Sequence, residues 1–310
     1  MDCTIVICTH NRADSLQRCL ESLQAAASPE AAALEVLVVA NACSDHTIEL
    51  LARWSEQGIG PMIPLRWVEE SRPGKSHALN QAIAVTGHSK ALAFVDDDHL
   101  VQREYLQALT DALSHNPNFD LYCGVIQPAW DGSEPAWVHE QGEYRIPIPP
   151  VPSYEAGAIE RVLEIGERIP GGGNLIVRRA LFERVGGFAA ELGPTGHNLM
   201  GSEDRDFIER ALNRGSRILY APAIKQYHAV EHDRMTLSYM LNKSYQRSYS
   251  VIKSQQSISM IRLRSLLRKL VSHALRAGLS LQAKRRFYWA LRLAATYGEL
   301  RATLERRAAE

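Results

Sequence analysis

The chain has 310 residues, 45% hydrophobic and 23% charged, with 35 Lys+Arg balancing 35 Asp+Glu. This ordinary globular composition excludes wholesale disorder and fibrous repeats, and zero net charge argues against a dedicated nucleic-acid binder over the whole chain. The balance is uneven, however: residues 225–310 hold 17 basic and 5 acidic side chains, net +12, against 18 and 30, net −12, before them.

In chain order, Ile5–Cys8 is an apolar run with β-branched residues and predicts a strand buried on both faces. Asp14 is placed to cap a helix carrying Leu16, Leu20 and Leu23. Leu34–Ala40 predicts a second buried strand. Asp45 caps a further helix with Ile48 and Leu51 inside, ending near Gly58. A strand over Leu65–Val68, a helix over Gly74–Val85 and a strand over Ala91–Val95 follow, and Asp96-Asp97-Asp98 stands at the C-terminal end of that strand. Strand–helix alternation predicts an α/β fold with a mostly parallel sheet. Such sheets bind ligands at the carboxyl ends of their strands, which singles out Thr9–Arg12, Asn41–His46 and Asp96–His99.

Residues 127–153 break the alternation, because six prolines (Pro128, Pro135, Pro147, Pro149, Pro150 and Pro152) forbid helix and central strand there. Trp130, Trp137, Tyr144 and Tyr154 in and beside this segment serve either core packing or an acceptor platform. Regular structure resumes at Gly171–Asn174, with a strand over Leu175–Val177 and a short helix ending at Gly186-Gly187. Ser202 caps a helix to about Asn213, Gly215 stops it, and Arg217–Tyr220 predicts the last strand. From Met235 the chain reads as helical.

Five cysteines (Cys3, Cys8, Cys19, Cys43 and Cys123) form no CxxC pair and read as reduced core thiols of a cytosolic protein. The N-terminus has no basic region or cleavage pattern of a secretory signal. No apolar run approaches the ~18–20 residues of a membrane span.

Three adjacent aspartates repel one another unless something positive binds. Their hard oxygens suit Mg²⁺ or Mn²⁺ with substrate phosphates, and a solvated acidic turn is the alternative. Glu203-Asp204 stands at the N-terminus of a predicted helix, whose dipole favours the ionised carboxylate.

These residues fall into motifs whose order resembles the glycosyltransferase family 2 enzymes of GT-A fold. Val6–Arg12 is similar to the family's first nucleotide-binding turn, Val38–Asp45 to its second, and Pro73–Asn80 to the segment before the metal strand. Phe94–Asp98 resembles the D-x-D motif. Gly172-Gly173-Asn174 with Arg178 and Gly186-Gly187-Phe188 resembles the acceptor-side strand and helix. Gly201–Asp206 resembles the E-D motif, and Tyr227-His228 a late histidine.

The resemblance implies an inverting transferase using a nucleoside diphosphate sugar and Mn²⁺ or Mg²⁺. Asp96, Asp97 and Asp98 would hold the ribose and metal–diphosphate, with Asp98 the direct ligand, Asp96 beside it, and His228 a further metal or diphosphate contact. Asp204 would be the general base and Glu203 would orient the acceptor. Thr9, Asn11, Arg12 and Lys75 would line the nucleotide pocket. Ala40 stands where the family has an aspartate that contacts the base, so nucleobase recognition is open; Asp45 is the nearby candidate. The processive family motif Q-x-x-R-W is absent after the E-D motif, and Gln282–Arg286 is too late and lacks the tryptophan, which implies single addition.

The implied organisation is a catalytic domain over 1–230, with a nucleotide-sugar half at 1–125 and an acceptor half at 126–230, followed by a basic helical region over 231–310. Leu263, Leu266, Leu267, Leu270, Val271, Ala274 and Leu275 form a helical stripe among Arg262, Arg264, Arg268, Lys269 and Arg276. Lys284-Arg285-Arg286 precedes Phe287, Tyr288 and Trp289. These helices suit an anionic membrane surface, peripheral on the cytoplasmic face, where the acceptor would be a glycan or lipid-linked saccharide. They would otherwise pack on the acidic domain or in a homodimer, and nucleic acid is the least supported partner. Two rival functions are an inactive sugar-nucleotide binding module, against which the intact carboxylates argue, and a sugar nucleotidyltransferase, which would want a glycine-rich basic first loop.

Overall fold

Runs of buried β-branched residues alternate with amphipathic helices through the first hundred residues, and the chain folds accordingly. The structure, a computed structural model, describes residues 2–26, 29, 32–60, 62–164, 166–192, 203–254 and 260–309. It divides into two compact units, Met1–Ala129 with Pro152–Ala229, and Trp130–Val151 with Val230–Glu310.

The first unit opens with β1 (Cys3–Thr9), α1 (Ala13–Ala25), β2 (Leu34–Asn41), α2 (Thr47–Gln57), β3 (Leu65–Glu70), α3 (Lys75–Val85) and β4 (Ala91–Asp96). It continues with β5 (His99–Val101), α4 (Tyr105–His115), β6 (Leu121–Ala129), β7 (Arg161–Val162), β8 (Leu175–Arg178), α5 (Arg179–Val185), α6 (Glu203–Asn213) and β9 (Ile218–Ala229). The sheet order is β3-β2-β1-β4-β8-β6-β9-β5, with β7 on β9. β3, β2, β1, β4, β6 and β9 share one direction and β8, β5 and β7 oppose it. The sheet is therefore mostly parallel, as the alternation predicts.

Successive residues of β1 point to opposite faces. Ile5 and Ile7 pack with Leu16, Leu20 and Leu51 on one side, and Val6 packs with Leu79, Phe94 and Phe207 on the other. Both faces are covered by helices, which is why the strands read as continuous apolar runs.

Several local expectations are corrected. Asp14 lies inside the first turn of α1, and the Ala13 N–H at its start donates instead to Asp45 Oδ2 at 3.2 Å. Helix α4 and strand β6 stand outside the predicted set. Pro128 lies within β6, where β9 is its ladder partner and the β8 pairing has already ended at Cys123, so the missing N–H is tolerated. The last strand runs past Tyr220 to Ala229, because the register shift opposite Cys123 and Val125 absorbs Pro222 in a bulge. That extension carries His228 to the site. The predicted cap Ser202, with Gly201, lies outside the described residues.

The second unit holds α7 (Leu237–Ser254), α8 (Met260–Leu279) and α9 (Ala283–Ala309) together with residues 130–151. Residues 130–151, expected in an acceptor half, group here because their aromatics pack here: Trp137 lies 4.7 Å from Phe287 and Tyr144 5.7 Å from Tyr288, centroid to centroid. Tyr154 instead packs 6.2 Å from Tyr220 in the first unit. Among the described residues no helix is long and apolar enough to cross a membrane. All five cysteines are free, and burial pushes the thiols of Cys3, Cys8 and Cys123 up to about 12.

Candidate active site

The three aspartates occupy a turn at the end of β4, and each is bound differently. Lys75 Nζ, at the first residue of α3, donates to Asp96 Oδ1 at 2.6 Å. Thr9 Oγ1, at the end of β1, donates to Asp97 Oδ2 at 2.7 Å. Arg12 bridges the other two, with Nη1 to Asp97 Oδ1 at 2.8 Å and Nη2 to Asp98 Oδ2 at 2.9 Å. Burial pushes the Asp97 carboxyl up to about 7, with Asp98 and Asp96 adding to the rise against the pull of Arg12 and Thr9. Burial also opposes the Asp96 charge, but Lys75 and His99 outweigh it and hold that carboxyl below the usual range. Lys75 is desolvated too, yet Asp96, Glu203 and Asp204 raise its pKa above the ordinary lysine range, so it stays a cation.

Two imidazoles face this turn. β5 pairs antiparallel with β9 so that His99 lies opposite His228, their rings 4.9 Å apart. His228 Nδ1 donates to Ala229 O at 2.8 Å, which puts the lone pair of the neutral ring on Nε2, 3.7 Å from Asp98 Oδ2. His99 Nδ1 donates to Gln226 Oε1 at 2.6 Å, and its Nε2 lies 3.9 Å from Asp96 and 4.0 Å from Asp98. The Gln226 amide is oriented by its Nε2, which donates to Asn174 Oδ1 at 2.9 Å and to Tyr105 OH at 3.1 Å. Second partners of this kind fix tautomer and ring orientation in metal sites.

Asp98, His99 and His228 each offer one ligand atom, all within 4.8 Å of one another. One carboxylate oxygen with two imidazole nitrogens suits a divalent transition metal better than Mg²⁺, which favours oxygen. The cluster brings His99 into a set expected to hold Asp98, Asp96 and His228. His99 carried a sequence signal, as the residue directly after the aspartates.

Glu203 and Asp204 open α6, the first buried and the second partly so. Gly172 N–H donates to Asp204 Oδ2 at 2.7 Å, and Arg205 N–H to Oδ1 at 2.7 Å. Lys75, Asp96, Gly172, Glu203 and Asp204 line one pocket, floored by Val6, Leu79, Phe94 and Phe188. The turn Gly172–Asn174 is more than a tight bend. A Cβ on Gly173 would sit 2.7 Å from His99 Cε1 and closer still to Asp96 Oδ2, and one on Gly172 would sit 3.1 Å from Asp204 Cβ. Gly173→Ala is therefore expected to cost about 1–3 kcal/mol of stability through overpacking and to displace Asp96, measurable as a lowered unfolding midpoint with weakened ligand binding.

Asn11 and Asp45, expected at the nucleotide, hold together the loops that follow β1 and β2. Asn11, at φ 52°, accepts at Oδ1 from Ser44 N–H at 2.6 Å and Asp45 N–H at 3.2 Å. Asp45 Oδ1 accepts from Thr47 N–H at 3.1 Å and Thr47 Oγ1 at 2.5 Å. Ala40, at the position where the resemblance leaves nucleobase recognition open, is buried in the core beside α1 and α2. Asn41 takes a structural task, donating to Glu70 O and Arg72 O and accepting from Gly74 N–H at 2.8 Å, which sets the entry to α3 and Lys75.

Glu70 supports the same bend. Its carboxylate accepts from Arg72 N–H at 2.8 Å, Nε at 3.0 Å and Nη2 at 2.7 Å, and the Arg72 bonds hold its pKa at about 2. A folded-state pKa below the unfolded value of about 4.3 contributes stability above that value and loses it as pH falls. Glu70→Gln is expected to destabilise by about 1 kcal/mol at neutral pH, the upper end for partly exposed pairs. Denaturant unfolding should show that difference shrinking between about pH 4.3 and pH 2.

The likeness to known proteins is one of family and fold. A family model described as glycosyl transferase family 2 matches residues 4–186. A glucosyl-dolichyl phosphate glucuronosyltransferase of Haloferax volcanii is 22% identical over 255 residues, covering 81% of this chain and 76% of the relative. Among solved structures, a mannosyltransferase of Pyrobaculum calidifontis in complex with GDP-Man and Mn²⁺ superposes with a TM-score of 0.59 at 18% identity, covering 99% of this chain and 87% of that one. TarS 1–349 of S. aureus gives a TM-score of 0.54 at 15% identity, covering 100% and 92%. The fold is that of the GT-A glycosyltransferases, and the chain belongs to glycosyl transferase family 2.

Proposed function

We propose that this glycosyltransferase is metal-dependent, inverting and non-processive. It moves one sugar from a nucleoside diphosphate donor to an acceptor hydroxyl in glycan, lipopolysaccharide or glycolipid synthesis. The observation that carries this reading is the shared pocket in which the Lys75–Asp96 pair meets Glu203 and Asp204.

Asp204 takes the proton from the acceptor hydroxyl, which is too weak a nucleophile without a base in hydrogen-bond reach. Two backbone N–H donors, from Gly172 and Arg205, hold its carboxylate in place at the start of α6. Glu203 orients the acceptor. Asp98 and His228, joined by His99, would hold the divalent cation, whose chemistry when bound is to neutralise charge on the departing diphosphate. Asp96 and Lys75 face the donor sugar and ribose. Thr9 and Arg12 act through Asp97, holding the turn in place, and Asn11 and Asp45 shape the nucleotide loops. The catalytic region lies within residues 1–230, and residues 231–310 are a basic helical region.

The relatives support the substrate classes. The Haloferax volcanii enzyme's substrate is a glucosyl-dolichyl phosphate, which favours a lipid-linked acceptor here, on the inner face of a membrane. The Pyrobaculum calidifontis protein binds GDP-Man with Mn²⁺. Single addition is supported by the place of Gln282–Arg286, at the start of α9 in the second unit.

The test is turnover of a nucleotide-sugar panel with lipid extract as acceptor, followed as nucleoside diphosphate release, with NMR of the product. One donor consumed, one sugar added and an inverted anomeric centre are expected. Retention, or a polymeric product, would overturn the corresponding part.

A further inference from the structure

Helix α8 has two contrasting faces. Leu266 and His273 are buried on the side toward α9, where His273 Nδ1 pairs with Thr296 Oγ1 at 3.1 Å. Elsewhere Leu267, Val271, Leu275 and Leu279 recur every fourth residue and are 48%, 60%, 57% and 77% exposed. Each such step advances about 40° around the axis, so the row winds from the edge of the buried face onto the outer one. Arg264 and Arg268 lie exposed on that outer face, with Lys269 and Arg276 exposed on its far flank. From Arg234 to Gly298 the chain has no acidic residue.

We infer that this face of α8 docks on an anionic lipid bilayer, with the helix in the interfacial plane. A row of aliphatic side chains interleaved with arginines fits that environment specifically: the leucines and valine enter the acyl boundary while the guanidinium groups reach the lipid phosphates. Nucleic acid would leave the apolar row in water. A second copy apposed through the same face would set arginines against arginines, with no carboxylate in the segment to offset them. The nearby aromatics, expected to act as interfacial anchors, are occupied within the unit: Phe287 packs on Trp137, Tyr288 on Tyr144, and Trp289 stacks with His273 at 5.3 Å beneath Arg276 at 4.5 Å. Attachment therefore rests on the aliphatic row of α8. It goes beyond the transfer reaction and stands independently of it.

The test is flotation of the full chain with phosphatidylcholine vesicles, with and without phosphatidylglycerol. Binding is expected to the anionic vesicles alone and to weaken as salt rises. The double variants Val271→Glu/Leu275→Glu and Arg264→Glu/Arg268→Glu should each lower partitioning by about tenfold or more, with unchanged melting curves. Equal binding to neutral vesicles, binding to neither, or full binding by both double variants would overturn the inference. So would a dimer in light scattering that Val271→Glu/Leu275→Glu converts to monomer without vesicle binding at any salt. Nucleotide titration of the same samples reports separately on the transferase reading.

Discussion

Asp204→Asn is expected to lower turnover by about 10²–10⁴-fold, the share usual for general base catalysis, with donor affinity unchanged. The amide is nearly isosteric: its oxygen still accepts from the Gly172 N–H, as Asp204 Oδ2 does at 2.7 Å, while the amide nitrogen in place of Oδ1 gives up the bond from the Arg205 N–H. The turn that carries Gly173 against Asp96 and His99 is therefore retained. What is lost is the capacity to accept a proton, so kcat falls and KM for the donor does not. Full activity in the variant would remove Asp204 from the base role. A parallel rise in donor KM would instead place it in binding.

Asp98→Ala should weaken Mn²⁺ binding by more than about a hundredfold, the upper end of what loss of an outer partner to a metal ligand costs. The variant removes the only carboxylate of the Asp98–His99–His228 cluster found among the described residues. It also removes one of the two carboxylates spanned by Arg12. Electron paramagnetic resonance of free Mn²⁺ reads the effect directly: the wild type depletes the free-ion signal and Asp98→Ala leaves it. His99→Ala should fall between them, because Asp98 and His228 remain. A wild-type affinity in His99→Ala would return His99 to a packing role.

The parts of this architecture legible in the sequence are those written in consecutive residues. β1, β2 and β4 are buried on both faces, so each carries a continuous apolar stretch (Ile5–Cys8, Val36–Ala40 and Ala91–Val95), and the polar residues after them mark the loops that converge on the site. Asp96–Asp98 and Glu203-Asp204 were visible because charge is costly at a strand end and favoured at a helix start. The parts that were not legible depend on pairing between distant segments. His99 meets His228 only because β5 folds back onto β9, and Gln226 gains its purpose only between His99, Asn174 and Tyr105.

The last strand runs past its predicted end at Tyr220 because a bulge absorbs Pro222. Helix α4 had a usable signal in Leu106 and Leu109, which are buried with Tyr105 and Ala112 along one face. In the tail, composition showed the basic amphipathic character, but not which face α9 covers. The aromatics beside Lys284–Arg286 turned out to be packed against residues 130–151 and α8, and the exposed row lies on α8 itself.

The central claim, that the β4 turn and its two histidines form a cation-dependent nucleoside diphosphate site, is tested most directly by calorimetric titration of the wild-type chain with nucleoside diphosphates, in Mn²⁺ and again in EDTA. The account predicts saturable binding of at least one nucleoside diphosphate with Mn²⁺ and its loss in EDTA; no binding in either condition, or equal binding in both, would contradict it.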